Sequence, residues 1–330
     1  MTVSIIIPVY NVEPYIIRCL QSVAVQTYNY IECIIVDDCG IDHSMSLAQD
    51  FINQYQGPIS FSIIRHNQNR GLAAARNSGI KHATGKFLFF LDSDDTIVPN
   101  CINLLVSFFN IYPDIQFAQG NFIGEDSCLS SYSFPPDVPE YTNDKTLIDR
   151  LMLCNIVTSS CNRLLSRDFI IDNNLYFPEG ILHEDLYWVY YTAKCTTAAA
   201  FTYEGLYVYY RNENSIVTST SNKTRIKRYL SRLYGANDYF EDLISNGSNL
   251  YQRQFFAVNL TCCLVELSEI NSIYHWNKFW YTIIKYSLRS IRKITWNRFL
   301  FFCCLMPPIC FWGNRKNVRW KIQNDILARI

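Results

Sequence analysis

The sequence lacks an excess of charge of either sign. Its 29 lysines and arginines balance 29 aspartates and glutamates over 330 residues. Bulk charge therefore predicts no attraction to nucleic acid, and no nucleic-acid-binding motif is present, so we expect no nucleic-acid partner. The chain is nevertheless 49% hydrophobic, which excludes general disorder and is enough for a sizeable core.

Long apolar runs are also missing. No run of 20 apolar residues occurs, and the longest candidate, 299–312, is interrupted by Pro307 and Pro308, so no conventional membrane-spanning helix is expected. The first apolar run, Ser4–Ile7, has no basic region before it and ends at Pro8, unlike a secretory leader. We therefore expect the N-terminus to be mature structure in the cytosol.

Paired cysteine motifs are absent although cysteine is not. The 13 cysteines are odd in number and include no CxxC pair with matching partner spacing. Neither a disulfide framework nor a zinc site is predicted. The expectation is reduced thiols that act as small core residues in a reducing compartment.

The first hundred residues alternate between strand and helix patterns. Strands are predicted over 3–9, 31–36, 61–65 and 86–91, and helices over 15–24, 43–55 and 71–83. The runs 3–9 and 86–91 are apolar on both faces, which is typical of parallel strands covered by helices. The sequence therefore predicts a doubly wound α/β unit, in which ligands bind beyond the carboxyl ends of the strands.

The following segments are less regular. We predict a strand over 115–123, a long exposed loop over 124–143, and helices over 147–154 and 162–174.

Carboxylates gather at two of the predicted strand ends, at positions 37, 38, 92, 94 and 95. Like charges at one place repel each other unless a cation or solvent relieves them. Mg²⁺ and Mn²⁺ take oxygen ligands and share them between one or two carboxylates and substrate phosphates, so Asp92 and Asp94 suit a metal-diphosphate assembly. The structural alternative is a helix N-cap formed by Asp94 and Asp95.

Four segments occur in the order and spacing of a known family: Val3–Glu13, Val36–Asp38, Asn69–Gly79 and Phe90–Asp95. They resemble the inverting family 2 glycosyltransferases of the A-type fold. Three later segments resemble acceptor-side motifs of the bacterial surface-polysaccharide branch of that family: Cys161–Arg167, Phe177–Gly180 and Glu184-Asp185. The resemblance implies a mostly parallel, nucleotide-binding sheet, followed here by a mainly helical C-terminal extension.

The resemblance also implies roles for single residues. Tyr10 would lie against a uracil ring, and Asp38, next to Asp37, would accept the uracil N–H. Arg76 would lie near the nucleotide phosphates and Asp92 near the ribose, while Asp94 would ligate Mn²⁺ or Mg²⁺. The full predicted nucleotide-sugar-binding set is Pro8, Tyr10, Asn11, Glu13, Asp38, Arg76 and Asp92. Asn11 and Glu13 fit a capping role equally well, and Gly71 and Gly79 fit backbone turns.

Asp185 is the predicted catalytic base. In an inverting transfer the acceptor hydroxyl attacks the anomeric carbon opposite the leaving diphosphate and must lose its proton on the acceptor side. Glu184-Asp185 could instead form a solvated helix start, and the adjacent His183 could contact the acceptor or the metal.

The two ends of the chain differ in charge. Residues 276–330 hold 11 basic residues, one acidic residue and five of the six tryptophans. Aromatic and basic residues together suit a segment that docks on an anionic membrane surface, and a helical subdomain packed on the catalytic unit is the alternative. We predict a catalytic domain over 1–220, divided into a UDP-sugar part (1–115) and an acceptor part (116–220), and a helical region over 221–330.

The predicted function is metal-dependent transfer of a hexose from a UDP-sugar to a growing, lipid-linked bacterial glycan: lipopolysaccharide core, O-antigen or capsule. Glucose or galactose in β-linkage is expected, at the cytoplasmic face of the inner membrane. Two alternatives are a haloacid-dehalogenase-type phosphohydrolase with Asp92 as nucleophile, and an inactive membrane-surface scaffold.

Overall fold

The computed structural model describes residues 1–124, 134–155, 158–212, 221–270 and 272–290. The chain divides into two compact units. One comprises Met1–Gly180 and Glu184–Glu213, and the other comprises Ile181–His183 and Asn214–Ile330. Much of the basic, aromatic tail at 276–330 lies outside the described residues, which end at 290.

The first unit contains a nine-stranded sheet. Its strands are β1 (Val3–Val9), β2 (Ile31–Asp37), β3 (Ser60–Arg65), β4 (Phe87–Phe90), β5 (Thr96–Ile97), β6 (Phe117–Gly124), β7 (Tyr141–Thr142), β8 (Arg163–Ser166) and β9 (Ala199–Tyr209). Their order is β3-β2-β1-β4-β8-β6-β9-β5, with β7 paired to β9. The four strands predicted in the first hundred residues are confirmed to within two residues at either end.

The parallel half of the sheet consists of β3, β2, β1 and β4. β1 pairs in parallel with β2 on one side and with β4 on the other. Every residue of β1 and β4 is buried, as expected for strands that are apolar on both faces. Because β2 and β4 both run parallel to β1, the carboxyl ends of the three strands reach the same edge of the sheet.

The mixed half consists of β8, β6, β9, β5 and β7. β8 runs antiparallel to both β4 and β6, whereas β6 and β9 are parallel. The predicted helix over 162–174 is wrong for its first part, because residues 163–166 form β8 and only Arg167–Asp172 is helical. Apolar side chains that suit a helix were instead placed in a strand by pairing with neighbours distant in sequence.

The helices of the first unit cover the sheet or follow its strands: α1 (Ile16–Ala24), α2 (Ser44–Gln54), α3 (Leu72–His82), α4 (Cys101–Ile111), α5 (Lys145–Arg150), α6 (Arg167–Asp172) and α7 (Glu184–Cys195). A π-helical turn, Leu151–Asn155, follows α5, so the predicted helix over 147–154 is confirmed in a partly widened form. α3 packs closely on the sheet, since a Cβ added at Gly79 would lie 2.3 Å from Ile6 Cγ2.

The second unit contains the helices α8 (Asn222–Ser245), α9 (Leu250–Glu269) and α10 (Ile273–Ser290). Asn249 and Gln252 form a reciprocal capping box at the start of α9. Aromatic rings fill the core between the helices, with Tyr286 of α10 stacked on Phe240 of α8 at 4.0 Å between centroids. Within the part of the chain that the structure describes, none of the helices has the length and apolarity that a bilayer crossing requires.

The described cysteines are free thiols. Five of them are buried: Cys19, Cys33, Cys101, Cys161 and Cys263. These five act as small core residues, as the sequence predicts.

Candidate active site

The loop after β1 is braced by two of its own polar side chains. Asn11 Oδ1 accepts a hydrogen bond from the backbone N–H of Ile41 at 2.8 Å, and Glu13 Oε2 accepts one from the N–H of His43 at 3.0 Å. Both side chains therefore brace the backbone that leads into α2, and their contact with a nucleotide sugar stays a prediction. Pro8 is buried within β1, whereas Tyr10 is 48% exposed and presents its ring to solvent.

Asp38 is buried and joins three segments. Its Oδ1 lies 2.7 Å from His66 Nδ1 and accepts a hydrogen bond from the N–H of Arg70 at 2.8 Å, and its Oδ2 accepts one from the N–H of Gly71 at 2.8 Å. Gly71 precedes α3 with a φ of 88°, a conformation that favours glycine. Asp38 therefore fixes the start of α3, and its contact with uracil stays a prediction.

The neighbouring Asp37 and Cys39 shape the turn after β2. Asp37 Oδ1 accepts a hydrogen bond from the N–H of Cys39 at 2.9 Å. Cys39 has a φ of 61°, in the left-handed region that non-glycine residues rarely adopt.

The three aspartates after β4 have different environments. Asp92 has a side chain that is 33% exposed. Asp94 is half-buried, and its Oδ2 accepts a hydrogen bond from Asn212 Nδ2 at 3.0 Å. Burial, and after it the charge of Asp92, raises the pKa of Asp94.

Asp95 has a structural role in this cluster. It is 2% exposed, and its carboxylate accepts hydrogen bonds from the Tyr207 hydroxyl at 2.7 Å and the Tyr210 N–H at 3.0 Å. Burial and the charges of Asp92 and Asp94 raise its pKa to about 8. The helix-cap alternative is wrong for this segment, because the N-cap residue of α4 is Asn100.

Arg76 of α3 connects the aspartate cluster with the start of α7. Its Nη2 donates to Asp92 Oδ1 at 2.8 Å, and its Nη1 donates to Glu184 Oε1 at 2.7 Å. The residue is 2% exposed. Burial opposes its charge, but the two carboxylates outweigh burial and raise the pKa of Arg76 above its ordinary value.

Asp185 lies in the first turn of α7, directly after the buried Glu184. Burial, followed by the charge of Glu184, raises the pKa of Asp185 to about 7, although Arg76 and the Leu186 N–H oppose the rise. Burial also raises the pKa of Glu184, against the charge of Arg76. A carboxylate with a pKa near neutrality can both hold and release a proton at physiological pH, which suits a general base.

His183 belongs to the second unit. Burial, and then the charges of Arg232 and Arg228, lowers its pKa to about 3. Its imidazole is therefore neutral at physiological pH, and its contact with acceptor or metal stays a prediction.

Sequence reasoning missed two contributors from the mixed half. Tyr207 is fully buried and accepts a hydrogen bond from the N–H of Asp92 at 3.2 Å, so it holds both ends of the aspartate cluster. Arg163 is fully buried, and within the described residues only its Nε has a hydrogen-bond partner, Gln119 Oε1 at 2.7 Å. Burial lowers the pKa of Arg163 to about 10. Arg163 lies in the segment Cys161–Arg167, which was a usable signal, whereas no sequence pattern marked Tyr207.

The donor atoms near Asp94 suit a divalent cation. Within the described ranges no three His, Cys, Asp or Glu residues group into a metal site. However, Mg²⁺ and Mn²⁺ bind through one or two carboxylates together with substrate phosphates, so three protein ligands are not required. Burial and the charge of Asp92 raise the pKa of Asp94, which means that they disfavour its charged form. A bound cation would stabilise that charged form.

The family model of Glycosyl transferase family 2 matches residues 4–172, which is more than half of the chain. The chain belongs to glycosyl transferase family 2. The matched range contains the aspartate cluster, Arg76 and the loop after β1. Family membership excludes the alternative of a haloacid-dehalogenase-type phosphohydrolase.

Similar proteins include an uncharacterized glycosyltransferase, YibD, of Escherichia coli (strain K12). It is 30% identical over 225 residues, which are 64% of this chain and 62% of YibD. The chain thus spans less than two thirds of the length of that relative.

Two solved structures share the fold. The crystal structure of S. aureus TarS 1-349 in complex with UDP-GlcNAc has a TM-score of 0.68 at 19% identity, covering 88% of this chain and 81% of that one. The mannosyltransferase PcManGT from Pyrobaculum calidifontis, in complex with GDP-Man and Mn²⁺, has a TM-score of 0.55 at 15% identity, covering 94% and 87%. The A-type glycosyltransferase fold predicted from the sequence is confirmed.

Proposed function

We propose that this family 2 glycosyltransferase transfers a hexose, with inversion, from a UDP-sugar to a growing, lipid-linked bacterial surface glycan. Glucose or galactose is the expected sugar, in β-linkage. The acceptor is a lipopolysaccharide core, an O-antigen or a capsule repeat. The segments Cys161–Arg167 and Phe177–Gly180 of this chain resemble motifs of surface-polysaccharide enzymes and support this class of acceptor.

The uridine nucleotide would bind at the edge where β1, β2 and β4 end. The exposed ring of Tyr10 offers a flat apolar face for a base. The similarity to TarS, whose crystal structures include complexes with UDP-GlcNAc and with UDP, supports a UDP-sugar, although PcManGT holds GDP-Man.

Asp94 would hold Mn²⁺ or Mg²⁺, with Asp92 beside it. When bound, the cation would neutralise the charge that gathers on the leaving diphosphate. The Mn²⁺ in the PcManGT complex supports this assignment.

Asp185 would accept the proton of the attacking acceptor hydroxyl. That oxygen forms a bond to the anomeric carbon while the bond to the diphosphate oxygen breaks on the opposite face, so the configuration inverts and UDP leaves. No covalent enzyme intermediate is required.

One observation carries the proposal. A single buried arginine contacts both Asp92, on the donor side, and Glu184, which is adjacent to the proposed base Asp185. Arg76 bonds both carboxylates at 2.8 and 2.7 Å. Two sequence motifs about 90 residues apart therefore belong to one hydrogen-bonded set. An enzyme that joins a donor to an acceptor needs its metal-side carboxylates and its base held together in this way.

The test is a donor screen that measures release of UDP, or of GDP from the control donor. UDP-glucose, UDP-galactose and UDP-GlcNAc, with GDP-mannose as the control donor, are mixed with purified bacterial membrane glycolipids and Mn²⁺, Mg²⁺ or excess chelator. We expect UDP release that needs both a glycolipid and a cation. Full activity in chelator would contradict metal dependence, and no turnover with any pair would favour an inactive scaffold.

A membrane surface is the proposed site of action, at the cytoplasmic face of the inner membrane. On α10 the exposed side chains include four large apolar residues, Ile273, Tyr274, Tyr281 and Ile284, at exposures of 52–74%. The exposed Lys278 and Lys285 lie on the same helix. An apolar helix face with lysines beside it suits an anionic lipid surface.

Vesicle sedimentation tests this part of the proposal. The intact protein should bind vesicles containing anionic lipid, moderate salt should weaken but not abolish binding, and Tyr281→Glu should reduce it by about tenfold. Leu250→Glu, at an exposed position of α9, is the matched control. An intact protein that ignores anionic vesicles at low salt contradicts membrane docking.

A further inference from the structure

We propose that Arg76 is a positioning residue that sets the base against the donor site, and that it is not a ligand of the nucleotide phosphates. This inference rests on the proposed transferase function and assigns Arg76 a different role in it from the one implied by family resemblance.

The first support is the geometry of the guanidinium group. Its two terminal nitrogens, Nη1 and Nη2, donate to Glu184 at 2.7 Å and to Asp92 at 2.8 Å. Its side chain is 3% exposed, whereas that of Asp92 is 33% exposed. The guanidinium is therefore almost closed to a phosphate that arrives from solvent, while Asp92 itself is open to solvent.

The second support is the rigidity of the element that carries Arg76. The carboxylate of Asp38 holds the start of α3 through the N–H groups of Arg70 and Gly71, both at 2.8 Å. The guanidinium carbon also lies 5.2 Å from the ring centroid of Phe177. Because both its helix and the Phe177 ring fix the Arg76 side chain, that side chain can hold its two carboxylate partners in place.

The third support is the neighbouring residue on α3. Asn77 Nδ2 donates a hydrogen bond to the carbonyl oxygen of Phe177 at 2.8 Å, and Asn77 Oδ1 accepts one from the N–H of Phe177 at 2.8 Å. Phe177 in turn stacks on Trp188 of α7, with centroids 5.0 Å apart and 10° between the planes. Arg76 and Asn77 thus hold α7 at its first residue and one turn further along.

These contacts explain what Arg76 does. It fixes the first residue of α7, and therefore the adjacent Asp185, relative to Asp92. A shift of about 1 Å between a base and a reacting centre lowers turnover by about 10²-fold. Ground-state binding of the nucleotide does not require that distance.

The test separates turnover from donor binding in Arg76→Lys. Lysine keeps the charge and would still bind phosphate, but a single ammonium group lacks the planar fork that reaches two carboxylates at once. We expect kcat to fall by about 10²-fold while the Kd for UDP with Mn²⁺, measured by calorimetry, changes by less than about threefold. Lys81→Arg, at an exposed position of the same helix, is the matched control, and its kcat should stay near that of the wild type.

Glu184→Gln is the second variant, for the case in which Arg76→Lys does not fold. It keeps the side-chain volume and removes one of the two charges on Arg76, so kcat should fall by about tenfold with UDP affinity unchanged. A tenfold weaker UDP affinity with unchanged kcat in Arg76→Lys overturns the inference while the transferase function stands. A wild-type protein that neither binds UDP nor turns over any UDP-sugar overturns both.

Discussion

The two halves of the sheet in the first unit hold their functional residues in different ways. In the parallel half, loop side chains accept hydrogen bonds from backbone N–H groups, as Asn11 does from Ile41 and Asp38 from Gly71. Toward the acceptor side, buried charges are held by distant partners, as Glu184 is by Arg76. A loop braced by several backbone hydrogen bonds tolerates the loss of one, whereas a buried ion pair that loses a partner leaves an uncompensated charge. We therefore expect acceptor-side changes to affect turnover and donor-side changes to affect nucleotide and metal binding.

Asp94→Ala should have the largest effect. Removing the proposed metal ligand after β4 should lower metal-dependent transfer by about 10³-fold or more, because the cation supplies several kcal/mol of charge stabilisation. UDP release at saturating Mn²⁺ measures it, and thermal melting checks the fold.

Asp50→Ala, at an exposed position of α2, is the control for Asp94→Ala. Undiminished transfer in Asp94→Ala would contradict the assignment of Asp94 as a metal ligand. It would also contradict the expectation that donor-side changes affect metal binding.

Asp185→Asn should lower kcat by about 10²–10⁴-fold with UDP affinity little changed. In the wild type, the raised pKa of Asp185, about 7, predicts a kcat that rises with pH through neutrality, since the base must be deprotonated. That rise should be absent from the variant. Stopped-time assays from pH 5.5 to 8.5 measure it.

Asp168→Asn, an exposed first-turn acid of α6, is the control for Asp185→Asn. If Asp185→Asn mainly weakened UDP binding, Asp185 would belong to the donor side and the comparison would fail. Near-normal turnover would instead point to Glu184 or His183 as the base.

The same variant should be more stable than the wild type at alkaline pH. Because the folded-state pKa of Asp185 is raised, the wild type loses stability as pH rises from about 4 to about 7. Asparagine carries no such penalty, so the gain should be about 1 kcal/mol above pH 7, after allowance for solvent access, or about 2–4 °C in Tm. At pH 4 the two proteins should melt together, and a gain of the same size at both pH values would contradict the assignment.

Cys39→Gly should give the smallest effect, in the parallel half. The left-handed φ of 61° at Cys39 strains a residue with a Cβ by about 1–2 kcal/mol, from which the greater flexibility of unfolded glycine subtracts about 0.5–1 kcal/mol. A net stabilisation of about 0.5–1 kcal/mol should appear in urea unfolding. Cys39→Ala keeps the Cβ and should show no gain, and equal gains in both variants would assign the effect to the thiol.

The sequence predicts the parallel half because its signals are local. The run Val3–Val9 is apolar at every position but one, which suits only a strand covered on both sides. The acids that follow β2 and β4 were placed at one edge by the rule that parallel strands end together. This rule locates Asp92 and Asp94 at that edge without reference to any long-range contact.

Long-range contacts decided the rest. Arg163–Ser166 became a strand by pairing with β4 and β6, although its apolar spacing favoured a helix. Tyr207 reaches Asp95 from 112 positions away, and Arg76 reaches Glu184 from 108, and no local pattern encodes either contact.

The sequence by itself determined the family, the parallel sheet and the types of residue that the reaction needs, because hydrophobic periodicity and motif spacing are properties of neighbouring positions. Only the tertiary structure decided the environment of each charged group. Burial raises the pKa of Asp185 and Asp95, and the shared bonds of Arg76 join two distant carboxylates. Electrostatic free energy depends on the distance between charges and on their access to water, and the folded chain alone fixes both.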